Sequence, residues 1–165
     1  MRPKNTERLR FREMSDSDLD AMAALLGDPA VMTYYPAPKT RAEAQSWIDW
    51  NKRNYAEYGF GLWVIETLDG EFVGDCGLTW QIVEDVRDLE VGYQVRAELQ
   101  GNGYATEAAI ACVDLARSLG YGRLTANIDA KNIPSQRVAA KAGLPFEKKA
   151  RHRDGKELVI QAVAL

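Results

Sequence analysis

At 165 residues, 46% of them hydrophobic and 27% charged, the chain has the length of one domain and the composition of a soluble globular protein, outside the disordered, collagen-like and membrane classes. A net charge of −3 argues against a nucleic-acid partner, and a lone histidine, His152, removes any multi-histidine metal site, so no metal ligand is assigned. Cys76 and Cys112, far apart in sequence among apolar or small residues, read as reduced core thiols.

Met1 to Glu7 holds no apolar run, and no stretch approaches membrane-spanning length, so a cytoplasmic protein with no membrane partner is expected. Arg8 to Arg12 alternates polar and apolar residues as a half-buried strand does. Ser15 to Asp18 supplies N-cap chemistry for a helix through Leu19, Met22 and Leu26, stopped by Gly27 and Pro29. The prolines in Tyr34-Tyr35-Pro36-Ala37-Pro38 make that stretch a loop. Thr40 and Glu43 have the spacing of a capping box for a second helix carrying Ala44, Trp47, Ile48, Asn51 and Tyr55.

Gly61–Glu66 and Phe72–Thr79 read as strands joined at Asp69-Gly70, and Leu89–Val95 alternates cleanly as a third. Ala105, Ala108, Ala109, Cys112, Ala116 and Leu119 then recur at helical spacing, giving a small-residue face suited to close packing on a sheet. Leu124–Ile128 is another strand, Asn132 opens a short helix ending at Gly143, and two last strands meet at Asp154-Gly155. Strands grouped around isolated helices predict an α+β domain with a mixed, mostly antiparallel sheet of about seven strands and about four helices. The cluster Lys148 to Arg153 reads as a solvated hairpin tip in preference to an anion contact.

One segment carries chemistry. Gln100, Gly101, Asn102, Gly103, Tyr104, Ala105 and Thr106 lie between a strand and a well-patterned helix, where glycines let backbone N–H groups converge and the helix end adds partial positive charge. Such a turn suits an anion, although many are simply turns. It lacks the Gly-Lys-Ser/Thr ending of a P-loop, and Thr106 stands where a dinucleotide fingerprint has its third glycine.

The segment resembles the GNAT superfamily of acetyl-CoA-dependent N-acetyltransferases, particularly its ribosomal-protein (Rim-type) branch. The family's Gln/Arg-x-x-Gly-x-Gly/Ala motif is matched by Gln100, Gly103 and Ala105, and the branch's Gly-Tyr-Ala-Thr-Glu-Ala run by Gly103 to Ala108. Leu89 to Tyr93 is similar to the family's preceding strand, and Asn132 to Val138 to its Asn-x-x-Ser-x-x-Val helix start. One departure is visible, Pro145 between Leu144 and Phe146, which is expected to shift the start of the next strand.

The resemblance implies a single acyl-CoA N-acyltransferase domain over residues 1–165 with the GNAT-like fold. It implies acetyl transfer from acetyl-CoA to a primary amine by direct attack on the thioester. A non-catalytic acyl-CoA-binding or regulatory module on the same fold is the alternative. Gln100 to Thr106 would hold the CoA pyrophosphate, while Val95, Asn132 and Ser135 would face the pantetheine. Glu90 is the implied base, or else one member of a plain polar strand face with Asp88 and Gln94. Ser135 is implied as proton donor or binder, and Asn132 doubles as a helix N-cap. Acceptors left open by the resemblance include a protein N-terminus or a small molecule, and a homodimer is the commonest assembly for a soluble protein.

Overall fold

The computed structural model describes residues 1–165. Strands β1 (Leu9–Glu13), β2 (Leu62–Thr67), β3 (Phe72–Val83), β4 (Val86–Val95), β5 (Arg123–Asp129), β6 (Phe146–Arg151) and β7 (Glu157–Ala164) are interspersed with helices α1 (Leu19–Leu26), α2 (Arg41–Tyr58), α3 (Tyr104–Ser118) and α4 (Ile133–Lys141). The seven strands form one sheet in the order β1-β2-β3-β4-β5-β7-β6. Every pairing is antiparallel except that of β4 with β5. This is the expected α+β architecture.

Two-residue alternation divides the sheet into two faces. Leu9, Phe11, Trp63, Ile65, Cys76, Leu78, Leu89, Val91, Leu124 and Ala126 point to one of them, beneath α3 and α4. There α3 contributes Ala108, Ala109, Cys112 and Ala116, whose small side chains let the helix backbone lie close to the strands. The Sγ atoms of Cys76 and Cys112 lie 3.7 Å apart, both buried, sharing a thiol hydrogen bond and no disulfide.

On the opposite face Leu62 and Val64 pack against α1 and α2 through Met22, Leu25, Leu26, Ala44 and Ile48. Those two helices cover only the β1–β3 half. Over the other half Ala150, Leu158 and Ile160 make a small apolar cluster of their own against Val83.

Local chemistry sets the element ends. Thr40 Oγ1 accepts the Glu43 N–H (3.2 Å) while the Glu43 carboxylate accepts the Thr40 N–H (2.9 Å), closing the capping box at the start of α2. Gly59, at φ +80°, ends that helix. Two strands outrun their sequence signals: β3 continues to Val83 and β4 begins at Val86, joined by a tight turn at Glu84 and Asp85 with φ of 50° and 65°. Glycine or asparagine normally marks such a turn, and neither is present. β6 begins at Phe146, directly after Pro145, and its pairing with β7 carries a register shift between Phe146 and Lys148. Lys148 and Lys149 belong to this edge strand, not to the hairpin tip, where exposed lysines discourage pairing with another sheet.

The seam between β4 and β5 matters most for function. Its register consists of one pair, Glu90 with Thr125, after which the two strands separate.

Candidate functional site

Beyond Glu90 the pairing of β4 with β3 dictates where its backbone groups face. Arg96 N–H donates to Val73 O (2.9 Å), making Arg96 a hydrogen-bonded partner of β3. Alternation along an antiparallel ladder then turns the N–H and C=O groups of Tyr93 and Val95 toward the open seam, while Val91 still takes part in the one bridge to Thr125. One of these groups is already engaged, because the Gln100 side chain donates to Val95 O (2.9 Å). Gln100 thereby ties the loop to the strand end.

A short 3-10 turn, Ala97–Leu99, leads into that loop. Gly101 and Gly103 take φ of +82° and +83°, the left-handed region that a side chain resists. The first helical bond of α3 runs from Glu107 N–H to Gly103 O (3.0 Å), so the N–H groups from Gly101 to Thr106 donate to no carbonyl of the chain. They form a cluster of free donors at a helix start, where the dipole is positive. An elongated anion fits such a cluster.

The loop is buttressed by the segment just before β1, which the sequence did not reveal. The Arg8 guanidinium donates to Asn102 O (2.9 Å), lies 4.4 Å from the Tyr104 ring centroid and pairs with Glu107 (2.8 Å). Glu107 also accepts the Arg8 N–H (3.0 Å) and the Thr6 hydroxyl. These bonds hold the Glu107 carboxyl below its ordinary range, against the opposing effect of partial burial.

At the mouth of the seam, Glu90 points to the face opposite α3 and α4. Its Oε2 accepts the Asn127 N–H of β5 (2.8 Å), filling the place a strand carbonyl would occupy, while Thr125 Oγ1 donates to Leu89 O (3.2 Å). Burial pushes the Glu90 carboxyl up to about 7, and the Asn127 bond opposes the shift only in part. A carboxyl at that value takes and releases a proton at neutral pH. One row away Asp88 and Asn127 line a cleft of about 460 Å³ together with Gln81, Arg123, Glu147 and Ile160. Arg123 in that cleft is neutralised by Asp88 (3.2 Å) and by two bonds to Glu147 (2.6 and 2.7 Å).

On the helix side of the seam, Asn132 caps α4 by accepting the Ser135 N–H (3.2 Å). Ser135 Oγ donates to the Tyr93 hydroxyl (3.1 Å), and that hydroxyl donates to Ser135 O (2.8 Å). Burial pushes the Tyr93 phenol up, keeping it protonated. Glu90, Val95, Asn132, Ser135 and the loop from Gln100 to Thr106 therefore border one seam, with Glu90 on one face and Ser135 on the other. Tyr93 and Asn127 join them. Strand alternation alone could have placed Tyr93 beneath α4, whereas Asn127 required knowledge of the strand order.

Comparison with known proteins places this geometry. A model of the acetyltransferase (GNAT) domain matches residues 8–145. The Bacillus subtilis (strain 168) protein YkkB is 42% identical over 149 residues, covering 88% of this chain and 87% of that protein. The uncharacterized N-acetyltransferase p20 of Bacillus licheniformis is 30% identical over 156 residues, 90% of this chain and 84% of its own. Among solved structures, an acetyltransferase from Agrobacterium tumefaciens str. C58 superimposes with a TM-score of 0.85 at 24% identity, over 99% of this chain and 94% of the other. RimL, a ribosomal L7/L12 alpha-N-protein acetyltransferase in complex with coenzyme A, does so at 0.78 and 17% identity, over 98% and 97%. With a domain model spanning most of its length and relatives that align over 88% and 90% of it, the chain belongs to the GNAT acetyltransferase family.

Proposed function

We propose that the chain is an N-acetyltransferase that moves the acetyl group of acetyl-CoA to a primary amine. The observation that carries this reading is the run of free N–H groups from Gly101 to Thr106, set at the start of α3 beside a sheet seam with Glu90 at its mouth. Coenzyme A in the RimL structure lends support to the choice of cofactor. The Gly103–Ala108 run, together with that likeness, favours the ribosomal-protein branch of the family.

Bound acetyl-CoA would supply a thioester carbonyl activated for acyl transfer. The loop N–H groups hold its pyrophosphate, and the seam-facing N–H groups of Tyr93 and Val95 serve the pantetheine and the carbonyl oxygen. Glu90 removes a proton from the amine, a task its position near neutrality suits, since free amines have pKa values of about 8 to 10.4. Ser135 and Tyr93 are the hydroxyl pair available on the α4 side to return a proton to sulfur. A CoA-like thiolate, with a pKa near ~8.5, gains little from that help, which makes Ser135 chiefly a binder.

The test is release of free thiol from acetyl-CoA with a panel of amines: cadaverine, spermidine, kanamycin and a peptide with a free N-terminal alanine. Thiol release that depends on the amine, and that falls by about a hundredfold in Glu90→Gln while CoA affinity is kept, is the expected result. Tight CoA binding with no amine-dependent release from any of the four would instead mark a binding module.

A further inference from the structure

On the face of β4 that carries Glu90, the next two residues in line are Gly92 and Gln94. Gly92 has no side chain, and a Cβ built there would meet only Leu62 Cδ2, at 3.6 Å, so a hollow lies between the Glu90 carboxylate and the Gln94 amide. Gln94 stands directly across from Asp75 in the β3–β4 register.

Asp75 is fully buried and accepts the Trp47 indole N–H (3.1 Å). With the Gln94 nitrogen turned toward this carboxylate, the amide donates to both Asp75 oxygens, the longer bond at 3.2 Å, and its own oxygen accepts the Tyr35 hydroxyl proton (2.6 Å). Asp75, pushed up to about 7 by burial, holds Gln94 in this orientation once it is ionised, and Gln94 then fixes the proton of Tyr35. The phenol oxygen is left as an acceptor only.

The backbone around Tyr35 is also held. Tyr35 N–H donates to Met32 O (3.0 Å), Pro36 disfavours helical geometry at Tyr35, and Lys156 reaches from the β6–β7 hairpin to donate to Tyr34 O (2.8 Å) while lying 3.6 Å from Asp129. Although 40% of Tyr35 is exposed, its hydroxyl is enclosed, so that burial first and the charges of Asp75 and Glu90 after it push the phenol up to about 12.

We propose that Tyr35 is an acceptor-binding catalytic residue whose oxygen accepts one N–H of the amine seated over Gly92, with Gln94 and Asp75 as the residues that position it. This rests on the acetyltransferase reading above. A neutral primary amine has two N–H bonds and a lone pair. One N–H is directed to Tyr35, the lone pair forms the new C–N bond to the thioester carbon, and Glu90 takes the proton of the other N–H. The C–S bond breaks with its electron pair on sulfur, which leaves as thiolate. A secondary amine can satisfy Glu90 or Tyr35 but not both, so this site selects primary amines.

Two measurements test the assignment. In protein carrying [13Cζ]tyrosine and saturated with CoA, which cannot transfer an acetyl group, addition of the amine accepted best from the panel above shifts the Tyr35 resonance, assigned by its loss in Tyr35→Phe. In turnover, Tyr35→Phe lowers kcat/KM for that amine by about tenfold to a hundredfold, leaves CoA affinity unchanged, and narrows the preference over the N-methylated amine; Gln94→Leu does the same. A Tyr35 resonance indifferent to amine, or a Tyr35→Phe chain with wild-type kcat/KM and preference, overturns the proposal alone. If the wild-type chain acetylates no amine of the panel, the acetyltransferase reading fails first and this inference falls with it.

Discussion

Glu90 shows how the proton affinity of one side chain is set by its place in a sheet. The same carboxyl on an exposed strand would titrate near ~4.3. Partly buried at the seam, with a single backbone N–H as compensation, it is pushed up to about 7. Only the ionised form accepts a proton, so kcat/KM should rise as pH increases through about 7, and this limb should vanish in Glu90→Gln. A rate profile unchanged by that substitution would remove Glu90 from the chemistry. Gly103 permits a parallel test with an internal control. Gly103→Val and Gly120→Val both force a β-branched residue to a left-handed φ (+83° and +85°), with a similar cost of about 1–2 kcal/mol in stability. Calorimetric titration with CoA should show binding weakened at least tenfold in Gly103→Val and retained in Gly120→Val, which lies at the far end of α3.

At the scale of elements, α3 and its loop depend on the segment leading into β1 as much as on their own sequence. Glu107 takes the Thr6 hydroxyl, the Arg8 N–H and the Arg8 guanidinium, and Arg8 in turn grips Asn102 O. Glu107→Ala should therefore weaken CoA binding several-fold without altering the residues that would touch it, measured by the same titration. This contact was illegible in the sequence because its partners are separated by most of the domain. What could be read were local signals: the Thr40–Glu43 box, the Asp69-Gly70 turn, the small-residue stripe of α3 and the Asn132 cap. The turn at Glu84 and Asp85 escaped because the long β3–β4 ladder imposes a conformation that its residues do not advertise. Alternation along β4 gave the face that Glu90 takes, whereas its role as base came only from the family resemblance. Its partner Asn127 and the chain from Asp75 through Gln94 to Tyr35 were not legible, since they arise from register between strands and from where a proline-bearing loop comes to rest.

The whole molecule carries two raised carboxyls on one face, Glu90 and the fully buried Asp75, each pushed up to about 7 by burial. Their folded values lie above the unfolded ones, so the native state binds more protons between pH 4 and pH 7. The stability that each protonated carboxyl contributes is fully present below about pH 4 and is lost as pH rises through about 7. Urea denaturation should accordingly show the chain losing on the order of a few kcal/mol across that window. Asp75→Asn should flatten the slope. Carboxyls held below their ordinary range, Asp18 and Glu107 among them, contribute the opposite slope up to about pH 5, so an Asp75→Asn curve that parallels the wild-type one between pH 5 and pH 7 would contradict the role given to Asp75 burial.

The seam joins two half-sheets by a single residue pair. In the free protein, amide deuterium uptake should therefore be quicker at Tyr93 and Val95 than at their neighbours bonded to β3. Coenzyme A would act as a missing rung between the halves. Its addition should slow that uptake and raise the melting temperature in step with ligand concentration, since the ligand stabilises only the folded chain.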